Sequence, residues 1–160
     1  MLIAYIYRLY LSTTEFNSEK YYTEGDSVIL LFTILCAFII IYLYNWYLIR
    51  ILIKYESLTD CIKFLTPLVE ESVKTSFAVV TDTSILFVHV GVGTVEGVID
   101  LLYNNKVSTM LAAVLGHGIF GLVTQLLFEV TGYVLVGWLI ATVLHCLWNY
   151  LILSIPEKDK

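Results

Sequence analysis

Polar and apolar positions alternate along this chain in long blocks: five apolar stretches separated by short polar ones, the first of them the cleanest. From Val28 to Ile49, "VILLFTILCAFIIIYLYNWYLI", 22 residues pass without a charge, against the roughly 20 that carry an α-helix across the hydrocarbon core of a bilayer. This segment reads as a membrane span. Beyond Arg50 the apolar stretches carry polar residues, and turn signals between them place four further helices. One runs from about Thr59 to Val80 and the next from about Thr83 to Tyr103, with "TDT" as a tight turn in which Asp82 or Thr83 caps the following helix. The fourth follows "NNK", is capped by Ser108 and ends near Val130. "TG" then leads into the fifth, Tyr133 to Ser154, which Pro156 stops. Turns this short make neighbouring helices antiparallel. The expected fold is all-α, a polytopic membrane helical bundle of about five transmembrane helices. Residues 28–160 form a single transmembrane domain, and 1–27 an N-terminal segment at the interface or outside. "MLIAYIYRLYL" within that segment is too short to cross, and lacks the basic flank and small-residue cleavage site of a signal peptide.

Composition agrees with the pattern. The chain is 59% hydrophobic and 14% charged, with a mean hydropathy of +0.83, whereas about a quarter of the residues of a soluble domain are charged. The lipid bilayer is therefore the first partner. The net charge of −5 and the absence of a basic cluster argue against a nucleic-acid partner. Cys36, Cys61 and Cys146 lack metal-type spacing and read as packing residues. Lys and Arg accumulate on the cytoplasmic side of membrane proteins. Arg50, Lys54, Lys63, Lys106, Lys158 and Lys160 mark one side of the bundle, and only Arg8 and Lys20 the other. The N-terminus is thus expected outside and the C-terminus in the cytoplasm, with Tyr42, Tyr44, Trp46 and Tyr47 as an aromatic belt at the cytoplasmic end of the first span.

Against this background "TPLVEESVKTSF" stands out, with Glu70, Glu71 and Lys74 in the middle of a helix. Glu96, His117 and His145 lie within three residues of the midpoints of the other three later helices, so at about 1.5 Å per residue all these groups share one depth to within roughly a turn. A charge at the centre of a span costs about 2.5 to 3.5 kcal/mol, so the three on one helix burden it by on the order of 8 to 10 kcal/mol before pairing. Lys74 lies four residues from Glu70 and three from Glu71, where either pair can meet. Such a constellation marks a functional site by default; the competing reading is a set of polar groups that only holds helices together. His145 and Asn149 share a helix face. The glycines beside these residues, Gly91, Gly93 and Gly97 around Glu96 and Gly116, Gly118 and Gly121 around His117, are read as close-packing positions. His89, Asp100 and Gln125 are secondary candidates for lining an access path.

The order of these motifs, "EESVK", "VGVGTVEG", "GHGIFG" and "LHCLWN", resembles the PrsW family of intramembrane proteases, which is related to the CAAX prenyl proteases and to the APH-1 scaffold of gamma-secretase. The resemblance spans about residues 64–152, within a protease-like core at about 59–154. It departs from the family pattern at Val92 and Gly97, where Phe and Asn are usual. The resemblance implies a site made of Glu70, Glu71, Lys74, Glu96, His117, His145 and Asn149, and hydrolysis of a peptide bond in a membrane-anchored protein substrate. Either Glu70 or Glu71 would be the base that activates water, with Lys74 fixing the other, and Asn149 with His145 would stabilise the oxyanion. A metal-dependent version would place zinc on Glu96, His117 and His145; a metal-free version stands beside it. A CAAX-type prenyl-protein protease generally has Arg after its paired glutamates and His where Glu96 stands. A non-catalytic APH-1-like scaffold would keep the same polar core, and a proton or ion carrier could also place acids at mid-membrane, but this sequence shows none of the inverted or parallel repeats common in transporters.

Overall fold

A computed structural model of the chain describes residues 24–52 and 58–153. The expectations for the N-terminal interfacial segment and for Arg8, Lys20, Lys54, Lys158 and Lys160 lie outside the described residues. Those residues form five helices and no strand: α1 (Glu24–Leu52), α2 (Leu58–Val80), α3 (Ile85–Asn104), α4 (Val107–Thr131) and α5 (Val134–Leu153). Four of them are long and apolar enough to cross a membrane, over Asp26–Ile51, Ile85–Tyr103, Val107–Thr131 and Val134–Ile152. α2 is the exception in composition only. Its 23 residues reach roughly 35 Å, long enough to cross, but it carries the charges that the others avoid. The chain is a multi-pass, all-α membrane protein.

α3 and α4 make the most extensive contact, followed by α4 with α5 and α2 with α5, and α2 also touches α3. These four close into a ring, and α1 lies against α2 and α3. The distribution of side chains is the reverse of a soluble domain. Large apolar residues such as Val28, Phe32, Leu102, Leu115, Leu135 and Leu151 are exposed, while Glu70, Glu71, Lys74, His89, His117 and His145 are buried. In water such an apolar surface would be an aggregation hazard; in lipid it is the solvated face.

Two close approaches set the ring's geometry. A Cβ at Gly93 would fall 2.7 Å from the His117 Cβ, and one at Gly121 would fall 2.6 Å from the His89 Cβ. Each glycine on one of the paired helices α3 and α4 thus accepts a histidine of the other, as small residues do at membrane helix interfaces. On the other flank of α4, Gly137 of α5 meets the Thr124 backbone just as closely.

The helix ends differ in detail from the sequence reading. α1 starts at Glu24, so the first helix takes in the last residues of the segment assigned to 1–27. Ser84, and neither Asp82 nor Thr83, caps α3, its hydroxyl accepting from the Phe87 N–H. Asp82 instead takes the left-handed conformation, φ 52°, which a short polar side chain tolerates in a turn. α4 begins at Val107 after Lys106 in extended conformation, and Ser108 lies inside the helix. Asn105 closes α3 in the left-handed region, φ 53°, donating its N–H to the Leu101 carbonyl, so the chain reverses there before a separate serine cap is needed.

Candidate functional site

The ionisable residues of α2, α3, α4 and α5 meet inside the ring. Glu71 is the hub. Its Oε1 accepts from Lys74 Nζ at 2.6 Å and faces His145 Nδ1 at 3.0 Å, and its Oε2 faces His89 Nε2 at 2.9 Å. Glu71, Lys74 and His89 are fully buried. A carboxylate in a site this dry needs partners on both oxygens, and Glu71 has Lys74 and His145 on one and His89 on the other. The second ring nitrogen of His89, Nδ1, faces the Ile85 carbonyl at 2.8 Å, so each ring nitrogen stands opposite an acceptor, and both bonds form together only in the imidazolium.

Lys74 does two things. Besides Glu71 it reaches His117 Nδ1 at 2.9 Å. An ammonium only donates, so Nδ1 of His117 is the acceptor and its Nε2 carries the hydrogen. That Nε2 lies 2.6 Å from Glu96 Oε2. Glu96 is the most open member of the cluster, with its side chain 23% exposed against 8% for His117.

Glu70 is placed differently from its neighbour. Its Oε1 accepts from Asn45 Nδ2 of α1 at 3.0 Å, while its Oε2 lies 3.8 Å from His145 Nε2, beyond hydrogen-bond range. Because His145 directs Nδ1 to Glu71, a neutral ring with its hydrogen on Nδ1 keeps a lone pair on Nε2, turned toward that free carboxylate oxygen. Phe120 stacks on the His145 ring at 4.6 Å, and the His117 and His145 rings stand edge-on at 5.2 Å. These contacts fix the orientation of both imidazoles.

Glu70, His117 and His145 bring one potential ligand atom each to within 4.8 Å of one another, so this buried group could hold a metal ion. The composition of the set is the Glu and two His of the sequence reading, but the carboxylate is Glu70 in place of Glu96. Glu96 is instead in contact with His117 Nε2, at 2.6 Å. As donors, one carboxylate and two imidazoles suit a divalent transition ion. Glu70 Oε2 and the Nε2 face of His145 are open to it, whereas both nitrogens of His117 are engaged, by Lys74 and by Glu96.

Asn149, one turn beyond His145 on α5, is half-buried and makes no hydrogen bond with the cluster. Asp100 is exposed near the end of α3 and stays outside it. Gln125 belongs to the opposite end of the bundle, where its Oε1 accepts from Ser84 Oγ and the Leu86 N–H. Cys36 and Cys146 are free thiols. Two shallow grooves lie on the seam between α2 and α5, one near Thr75 and Trp138 and one near Phe64 and Cys146. Neither is lined by a residue of the cluster.

The sequence places His89 only among residues lining an access path, whereas it is a buried partner of Glu71. Asn45 of α1 is a member that the motifs do not include, although a carboxamide inside the otherwise apolar run of the first span is itself a signal, since membrane spans keep such groups where they find partners. Fold and site together define the class: a multi-pass helical membrane protein with a buried glutamate, lysine and histidine cluster. Compared with protein-family models, curated proteins and solved structures, the chain matches none.

Proposed function

We propose that this protein is an intramembrane peptide hydrolase in which Glu70 activates water against a peptide bond of a membrane-anchored protein. The observation that carries the reading is the inequality of the two adjacent glutamates. Both oxygens of Glu71 are engaged, Oε1 by Lys74 and His145 and Oε2 by His89, which meets three of its roughly four lone-pair sites. Glu70 keeps one oxygen unbonded and turned toward His145, as a general base needs. Glu71 then has the positioning role: it holds Lys74 and orients the His145 ring. Asn149, on the same face of α5 as His145, would donate to the tetrahedral oxygen, and His145 would join it through Nε2 once that nitrogen has taken up a proton. If a divalent metal takes part, Glu70 and His145 would hold it, His117 would join them on releasing Lys74 or Glu96, and the metal would supply Lewis-acid polarisation of the carbonyl. The resemblance of the motif order to the PrsW family agrees with this chemistry, and the family's substrate class is the one adopted here. The orientation that goes with the reading has the N-terminus outside and the C-terminus in the cytoplasm, on the strength of Arg50, Lys63 and Lys106.

A second reading is a non-catalytic scaffold of the APH-1 kind. The observation in its favour is that the cluster is closely bonded and that neither groove on the α2 and α5 seam opens onto it.

The test uses the purified chain in vesicles with a panel of single-span membrane-anchored reporter proteins. Cleavage of a reporter by the wild type, lost in Glu70→Gln and in His145→Ala while both variants still insert and accumulate, supports the hydrolase. Equal cleavage by the wild type and a Glu70→Gln, Glu71→Gln double variant removes it and leaves the scaffold. Full activity in metal-free protein excludes the metal version.

A further inference from the structure

Asn45 stands apart from the rest of the site. It is the cluster's contribution from α1, the helix outside the 64–152 stretch that carries the motifs, and it reaches across to donate Nδ2 to Glu70 Oε1 at 3.0 Å. Its other amide atom, Oδ1, is buried and has no hydrogen-bond partner. A buried acceptor left unsatisfied is destabilising, whereas an apolar side chain of the same shape at that place would carry no such penalty. Leu at this place would remove that penalty but would leave the buried Glu70 Oε1 without its donor, so the amide serves Glu70, and holding α1 against α2 does not require it. α1 has ample means for that: Ala37 and Ile41 are fully buried in an apolar cluster with Val88 and Val92 of α3 and Ala78 of α2.

The geometry of Glu70 supplies the reason. A free carboxylate can rotate and present either oxygen, or both, to its neighbours. With Oε1 held by Asn45, rotation about the terminal bond of Glu70 is stopped and Oε2 is the oxygen left 3.8 Å from His145 Nε2. We propose that Asn45 is a positioning residue which clamps Glu70 through Oε1, so that Oε2 alone is presented to the space between His117 and His145. This inference rests on the reading of Glu70 as the working carboxylate of a hydrolase. The physical statement about the clamp, however, can be tested without any substrate.

The experiment compares wild type, Glu70→Gln, Asn45→Leu and Asn45→Gln in detergent by three measurements. The first is infrared difference spectroscopy, in which the wild type minus Glu70→Gln spectrum isolates the Glu70 carboxylate bands. The second is the thermal midpoint. The third is Co²⁺ binding followed by its visible absorption. Loss of the N–H donor in Asn45→Leu shifts the Glu70 bands whichever way the midpoint moves, because relief of the unpaired Oδ1 and loss of the donor to Glu70 oppose each other. Co²⁺ binding weakens by between about 10-fold and about 100-fold, the worth of one hydrogen bond to a charged group. Asn45→Gln, which keeps the donor, recovers the wild-type bands at least in part. Identical carboxylate bands in wild type and Asn45→Leu overturn the clamp, and so does a lowered midpoint with unshifted bands, which is the mark of a merely structural amide. If the wild type takes up no Co²⁺, or Glu70→Gln binds it as tightly as wild type, the metal version of the function fails, while the bands still decide the role of Asn45.

Discussion

Gly118 and Gly121 stand three residues apart in "GHGIFG", yet alanine should have opposite effects at the two. At Gly118 a new Cβ would lie 3.6 Å from Val90 Cγ2, an ordinary contact. At Gly121 it would lie 2.6 Å from the His89 Cβ, 2.9 Å from its Cγ and 3.2 Å from the Leu86 Cα. Carbon atoms settle at about 3.5 to 4.0 Å, so the second contact demands roughly 1 Å of extra room. Neither obstacle can give way cheaply. Leu86 Cα is backbone, and the His89 ring is bonded at Nδ1 to the Ile85 carbonyl and at Nε2 to Glu71. Alanine gains up to about 1 kcal/mol over glycine inside a helix, and overpacking costs about 1 to 3 kcal/mol. Gly118→Ala should therefore leave stability unchanged or raise it by up to about 1 kcal/mol. Gly121→Ala should lower it by about 1 to 2 kcal/mol, taking the upper part of the overpacking range because the neighbours are fixed. Thermal or denaturant unfolding of the purified protein in one detergent measures both. A Gly121→Ala variant as stable as wild type, or a Gly118→Ala variant equally damaged, would refute the account of α3 and α4 as closed around His89.

Lys74→Met should be among the most destabilising single changes, by about 3 to 5 kcal/mol as for one partner removed from a buried ion pair, because it takes the ammonium from Glu71 and the donor from His117 together. Thermal unfolding checks it, and a loss below about 1 kcal/mol would mean that the ammonium is dispensable there. Asn149→Ala should leave stability within about 0.5 kcal/mol, since it makes no bond with the cluster. It should cut cleavage of any reporter that the wild type accepts by about 100- to 1,000-fold, the usual worth of one oxyanion donor; unchanged cleavage would remove it from the site. Reporter fusions should put positions 82 and 131 on the outer side and position 105 in the cytoplasm. A cytoplasmic signal from 131 would invert the orientation.

The sequence alone determined the membrane class, the five helices to within a few residues at each end, and the depth of the polar groups. Each rests on a one-dimensional regularity: an apolar run has a length, a turn residue has a place, and a residue's height along a helix is its distance in sequence times a fixed rise. That Lys74 can pair with Glu70 or Glu71 was equally accessible, both lying within one turn of a single helix; that the partner is Glu71 was not. What only the tertiary structure decided is which way each helix turns about its own axis and what stands opposite. Height does not fix azimuth. The rotation of α3 and α4 comes from the seats that Gly93 and Gly121 leave for His117 and His89, and that rotation carries His89 onto Glu71 and Glu96 onto His117. So a histidine expected at the periphery is part of the hub, and the carboxylate that groups with both His117 and His145 is Glu70, while Glu96 meets His117 alone. The difference between Glu70 and Glu71 has the same origin. Adjacent residues on a helix point about 100° apart, so one glutamate turns to Lys74, His89 and His145, while the other turns to Asn45 and keeps an oxygen free.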